Sequence, residues 1–218
     1  MRKIITLALI VLGFNQTILS QNIKQNFGAI LTTYYLEKDD DLIEKSIDFF
    51  NHINPNDTHI PQIIVGFYGG LFLKSPKIKK EFKLNLERFE NDNIRNSFNA
   101  LFNNDIEVIM FEYPISPAFN DMNWAAFFST GDTKYLDKIL KISLESNNRV
   151  DRNLFLAGAT AKWSLCSNSL THDKVKEYLE SNITYKESAR KILNSNPPDL
   201  YENVAKVLKE QKSKGIWN

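Results

Sequence analysis

The chain has very few of the residues from which disulfides, metal centres and thiol chemistry are built. It contains one cysteine, Cys166, and three histidines in 218 residues. A single thiol excludes an internal disulfide, and neither a histidine nor a cation is adjacent to Cys166 in sequence to activate it. Because Cys166 lies in an apolar helical stretch, we predict a buried, unreactive thiol.

The histidines give little basis for a metal site. His52 and His59, with Asp57 between them, form the one local cluster of potential ligands. Their spacing matches no zinc motif, and a third ligand is missing nearby. His172 precedes an acid at a predicted helix start, where capping or packing explains it. We therefore predict no metal and no cofactor.

The chain also has no large excess of positive or negative residues, since its formal net charge is +1. A near-neutral chain has no electrostatic basis for binding nucleic acid or an anionic membrane. The lysines between residues 74 and 83 are diluted by glutamates on a predicted amphipathic helix and indicate a solvated face. Beyond residue 14 no apolar run approaches the length of a bilayer span, so we expect no stable membrane insertion.

The N-terminus has the three-part pattern of a secretory signal peptide. Arg2 and Lys3 precede an uncharged, mostly apolar run at 4–14, and the small residue Ser20 follows. The pattern predicts a signal peptide over 1–20, cleavage before Gln21, and a periplasmic or secreted protein. The alternative is an uncleaved N-terminal anchor helix.

The remaining residues, 21–218, predict a single all-helical domain, because apolar residues recur at helical spacing and strand-like alternation is rare. Asp105–Tyr113 is ambiguous between a short strand and a short helix, and a helix is favoured because a lone strand has no partner. The predicted helices include a stretch beginning near Leu42, one after the Ser75-Pro76 cap, and Gln62–Lys74, Asn91–Asn104, Phe119–Ser129, Thr133–Glu145, Arg152–Cys166, His172–Leu179, Tyr185–Leu193 and Asp199–Lys212.

Three segments share a pattern of small residues framed by aromatic ones, followed by a turn and an amphipathic helix. They are Phe67–Phe72, Asn123–Phe128 and, more loosely, Ala159–Trp163. Small residues let two helices approach closely, and stacked helical hairpins are the units of α-solenoids. The spacing of the segments is irregular. We therefore predict an irregular stack of antiparallel helical hairpins, α-solenoid-like, with tetratricopeptide-like packing as an analogy only.

Two of these regions carry a resemblance to a known group of proteins. Trp124–Leu140 (WAAFFSTGDTKYLDKIL) and Ala157–Glu180 (AGATAKWSLCSNSLTHDKVKEYLE) are similar to segments of small exported helical proteins found across bacteria, an uncharacterised family. The likeness covers roughly the middle and C-terminal two thirds of the chain. The resemblance implies a fold and no activity.

Acidic residues give the weak case for an enzyme. Glu107 and Glu112 flank the apolar residues VIMF, and burial of that segment would raise the pKa of one carboxyl enough for general acid catalysis. Asp121 lies near the start of the Trp124 helix, whereas Asp132, after Gly131, is predicted to be a helix cap. A carboxylate-dependent hydrolase is therefore the alternative function.

Aromatic residues give the stronger hypothesis, a module that binds a protein or peptide. Most of them must lie in the core, but Tyr68, Tyr113 and Trp124 are candidates to line a groove between stacked helices. The helical-hairpin pattern, the missing catalytic signatures and the predicted export favour this function. An immunity-type or purely structural envelope protein fits the same observations.

Overall fold

The computed structural model describes residues 27–54, 60–104 and 106–217, and all regular secondary structure in these ranges is helical. The first helix, α1, is described over 27–33. The other α-helices are α2 (Leu42–His52), α3 (Ile60–Gln62), α4 (Gly69–Lys74), α5 (Pro76–Leu84), α6 (Asp92–Asn103), α7 (Ile106–Glu112), α8 (Pro117–Thr130), α9 (Lys134–Ser143), α10 (Arg152–Ser169), α11 (Asp173–Ser181), α12 (Lys186–Leu193) and α13 (Pro197–Ser213). The prediction of an all-helical chain is confirmed for these residues, and α7 settles the ambiguous segment as a helix. The predicted signal peptide, Asp57 and His59 lie outside the described residues.

Short polar caps account for several helix starts. The Ser75 hydroxyl accepts a hydrogen bond from the Ile78 N–H, and Pro76 occupies the first turn of α5, as predicted. The Asn91 side chain caps α6 in the same way. The last helix begins at Pro197, two residues before the predicted start at Asp199, because proline has the backbone angle of a first helical turn and its missing N–H costs nothing there.

The helix predicted over Gln62–Lys74 is not uniform. A π-helix, Ile63–Tyr68, connects α3 to α4. A Cβ placed on Gly66 would lie 2.3 Å from the Met122 carbonyl oxygen, and one on Gly70 would lie 3.2 Å from Ala126 Cα. The two small-residue segments noted in the sequence therefore pack against each other at a distance that only small side chains allow.

Of the described residues, 27–54, 60–104, 106–114 and 121–135 form one compact unit with a core of aromatic rings. The Tyr68 ring lies 5.0 Å from those of Phe82 and Phe98, measured between centroids. Phe50 also contacts both Tyr68 and Phe98. Aromatic packing thus holds α2, the π-helix, α5 and α6 together.

Of the described residues, 115–120 and 136–217 belong to the second unit, in which α10 is the longest helix. Its Phe155 packs against Trp217 with 5.0 Å between ring centroids, and Trp217 Nε1 donates to the Val150 carbonyl. Gly215, at a φ of 68°, turns the chain after α13 so that Trp217 reaches this position. Trp217 is therefore part of the core of this unit. The prediction of one domain over 21–218 stays a prediction.

Candidate functional site

Two of the three predicted binding aromatics are packing residues in this structure. Tyr68 has 0% of its surface exposed, and its hydroxyl donates a hydrogen bond to Ser46 Oγ at 2.7 Å. Burial raises the pKa of Tyr68, so its hydroxyl stays protonated. Trp124 is 6% exposed and packs against Phe127 and Phe128. Neither side chain offers a partner a useful contact area, because each is surrounded by its own core.

The third aromatic residue, Tyr113, is half-buried in the segment between α7 and α8. Tyr68 and Trp124 have different ring neighbours, so the structure gives no evidence of an aromatic groove shared by the three residues. The sequence identifies all three as large aromatic side chains, but it carries no signal that separates a core ring from a groove ring.

The three candidate carboxylates are all at the surface. Glu107 and Glu112 are exposed on α7, and Asp121 is exposed on α8. Glu107 Oε1 lies 3.3 Å from Lys134 Nζ, an arrangement typical of a surface ion pair. The burial on which the general-acid hypothesis depends is therefore not found at Glu107 or Glu112. The Asp132 carboxylate accepts from the Lys134 N–H at the start of α9, as expected of a cap.

The thiol and histidine candidates show no reactive arrangement. Cys166 is buried, its Sγ donates to the Ser195 carbonyl, and burial raises the pKa of its thiol. His52 is exposed beside Asp48 on the same helix. His172 occupies the N-cap position of α11, where burial lowers its pKa. Within the described ranges, no three His, Cys, Asp or Glu side chains are grouped as metal ligands.

The candidate site lies elsewhere, in an open groove between α11 and α12. Each of these helices buries one apolar stripe in the second unit, which leaves its other faces to solvent. Val175 and Leu179 are the buried residues of α11, and Ala189 and Ile192 are those of α12. The groove has a volume of about 430 Å³ and is lined by Lys176, Leu179, Glu180, Lys186, Arg190, Leu193 and Asn194. We call this feature the α11–α12 groove.

Helical spacing places the groove residues in two rows. Lys186 and Arg190 lie four residues apart on α12, Asn194 follows at the same interval as its C-cap, and Lys176 and Glu180 lie four apart on α11. Residues four apart share a helix face, so the two rows flank the same groove. Leu193, which is half-buried, adds apolar surface beside the charged groups, whereas Leu179 lines the groove but is 2% exposed.

The charges of the groove are not balanced. Lys176 Nζ lies 3.9 Å from Glu180 Oε1, which uses the single acid of the lining. Glu187 pairs with Lys191 rather than with a groove cation, at 2.7 Å. Within the described part of the chain, Lys186 and Arg190 join no ion pair. Two exposed cations are therefore available to an anionic partner.

Hydrogen bonds fix the position of the helices that line the groove. The Tyr178 hydroxyl donates to Asp137 Oδ1 of α9 at 2.6 Å. Burial, together with this bond to a carboxylate, raises the pKa of Tyr178, so the donor proton is retained. Asn182 donates to the Tyr178 hydroxyl and accepts from the Tyr185 N–H. The connection between α11 and α12 is thereby tied to α9.

An exposed apolar side chain lies in that same connection. Ile183 has 89% of its surface in contact with solvent, three residues from both Glu180 and Lys186. Single exposed apolar residues are common on protein surfaces, but this one lies in the loop that links the two groove helices. The region thus combines cations, leucines and an accessible isoleucine.

The chain matches no protein-family model, no curated protein and no solved structure. None of the helices in residues 27–54, 60–104 and 106–217 is both long enough and apolar enough to cross a membrane. The resemblance to small exported helical proteins stays a prediction. The predicted helices His172–Leu179 and Tyr185–Leu193 match α11 and α12 within a few residues. No prediction includes the groove, for which the four-residue spacing of Lys186 and Arg190 is the available signal.

Proposed function

We propose that this protein is an exported interaction module, built from stacked helical hairpins, that binds a partner protein or peptide through the α11–α12 groove. The observation that carries the proposal is the pair of exposed cations, Lys186 and Arg190, that line the groove with Leu193 and form no ion pair among the described residues. Charged groups next to an accessible apolar surface are typical of the rim and centre of a binding site. The positions of α11 and α12 are fixed by hydrogen bonds, so binding requires little ordering of the helices.

The test is affinity capture from the envelope of the source cell with three forms of the tagged protein. The first is the wild type, and the second is K186E/R190E, which reverses both groove cations. The third is K141E/K209E, a control with the same change in net charge at exposed positions of α9 and α13. Lys141 lies in the last turn of α9, as Arg190 does in α12, which matches their helix-dipole environments.

We expect one protein to be captured by the wild type and by K141E/K209E, and to be lost with K186E/R190E. The captured protein must then bind the purified wild type directly. Circular dichroism and thermal unfolding establish that all three forms are folded. Capture of the same proteins by all three folded forms, or of none by the wild type, would contradict the proposal.

A further inference from the structure

The α11–α12 groove also indicates the chemistry of its partner, an inference that rests on the proposed function. We infer that the occupant is an acidic amphipathic peptide segment, with carboxylates directed at Lys186 and Arg190 and apolar side chains placed against Leu193 and Ile183. The groove has three cations and one acid, and Lys176 already contacts that acid. An acidic segment supplies the missing negative charge, whereas a basic one would be repelled.

Arg190 indicates more closely than charge alone which acceptor group the partner presents. A guanidinium presents a planar set of N–H donors that fits the two oxygens of a carboxylate, whereas the ammonium of Lys186 acts as a point charge. Arg190 is exposed and lies one helical turn from Lys186. Acids spaced one helical turn apart on the partner would therefore meet both cations at once.

The apolar residues of this region favour a peptide over a simple anion as the ligand. Leu179 lines the groove but is 2% exposed. Leu193, which is half-buried, and Ile183, which is exposed in the adjoining connection, present apolar surface to a ligand. Inorganic phosphate gains nothing from these side chains, but leucines on the acidic segment would bury apolar surface against them. The nine residues of α11 span about 13 Å, so the groove suits a short segment of about ten residues.

The direct test is fluorescence anisotropy with a labelled peptide of about ten residues, carrying glutamates one turn apart and leucines on the adjoining face. We expect binding by the wild type and by K141E/K209E. Binding to K186E/R190E should be weaker by roughly tenfold or more, because each exposed ion pair contributes modestly but both attractions are replaced by repulsions. Replacing the glutamates by glutamine should weaken binding by a similar factor. R190K should lie between the wild type and the double variant, because it keeps the charge and loses the paired donors.

The salt dependence of binding and the affinity for other anions test whether the ligand is an acidic peptide. Binding should weaken as salt rises from low to physiological concentration, because the groups are exposed and are screened over about 8 Å. Peptide binding that is equal in the two double variants would overturn the inference. It would also be overturned if inorganic phosphate or phosphatidylglycerol vesicles bound the same residues more tightly than the peptide, which would assign the groove to a small anion or a membrane.

Affinity capture distinguishes an error in the inferred chemistry of the partner from an error in the proposed function. A partner that requires Lys186 and Arg190 but contacts them through no acidic segment would overturn the inference and leave the proposed function intact. If no partner depends on the groove, both are wrong.

Discussion

At the scale of single residues, the hydroxyl of Tyr68 shows how a polar atom is accommodated inside an aromatic core. It donates to Ser46 Oγ, and Ser46 in turn donates to the Leu42 carbonyl within α2. Both hydroxyls are therefore satisfied without solvent, which is required because a buried polar group without a partner costs free energy. This bond links the π-helix to α2 and explains why a tyrosine is accommodated among phenylalanines.

We predict that Tyr68→Phe lowers the free energy of unfolding by about 1 kcal/mol, because it removes a buried hydrogen bond while the ring packing remains. The control is Tyr201→Phe, where the ring is 66% exposed and the change should stay within about 0.5 kcal/mol. Urea unfolding curves measure both values. Equal effects at the two positions would show that the Tyr68 hydroxyl has no structural role.

At the scale of elements, the second unit depends on a close approach of backbones at α10. A Cβ built on Gly158 would lie 2.1 Å from the Ser146 backbone nitrogen and 2.3 Å from the Glu145 carbonyl carbon. Both atoms belong to the 3-10 helix Leu144–Asn147. Because these atoms are backbone, a side-chain rearrangement cannot relieve the contact, and the helix or the turn must move.

Gly158→Ala should therefore destabilise the protein by about 3 kcal/mol, as overpacking of a rigid contact does. Gly28→Ala is the matched control, since Gly28 lies in α1 with no atom of the described residues within 4 Å of an added Cβ. There the alanine should be neutral or stabilising by about 0.5 kcal/mol, because it reduces the entropy of the unfolded chain. Thermal and urea unfolding of the two variants side by side give the comparison, and similar stabilities would refute the close contact.

The packing of a single helix, α12, also explains why the groove carries exposed charge. Lys186, Arg190 and Leu193 belong to a helix of eight residues, whose buried positions are Ala189 and Ile192. A helix this short gains most of its stability from tertiary packing rather than from its own hydrogen bonds. The buried stripe thus fixes α12 in place and leaves the opposite positions free to carry charge.

At the scale of the whole molecule, the proposal of an exported protein rests on the N-terminal sequence. Loss of the segment up to Ser20 removes two cations and leaves a chain close to neutral. A chain without net charge reaches a partner through local complementarity rather than through long-range attraction. The exposed cations of the α11–α12 groove can supply such local complementarity.

We predict that the protein recovered from the cell envelope begins at Gln21, because a basic start, an uncharged apolar run and a small residue direct cleavage there. Intact-mass measurement of the purified protein gives the N-terminus. Leu9→Arg places a charge in the apolar run and should leave the full-length chain in the cytoplasm. Envelope protein that retains residues 1–20 would instead indicate the uncleaved anchor.

Local interactions explain what the sequence determined by itself. Helix periodicity, the caps at Ser75 and Asn91 and the turn prolines act between residues a few positions apart, so the helical class and most helix positions follow from the order of residues. Two local details differ from the prediction: Ile63–Tyr68 is a π-helix, and α13 begins at Pro197 rather than at Asp199. The short helix α7 was predicted because a lone strand would have had no partner.

Tertiary structure decided which residues are available for function. Burial of Tyr68 and Trp124, exposure of Glu107, Glu112 and Asp121, and the meeting of two helix faces at Lys186 and Arg190 all depend on contacts between residues distant in sequence. An aromatic or acidic residue looks the same in sequence whether it lies in the core or at the surface, because its environment is set by the other elements that pack around it.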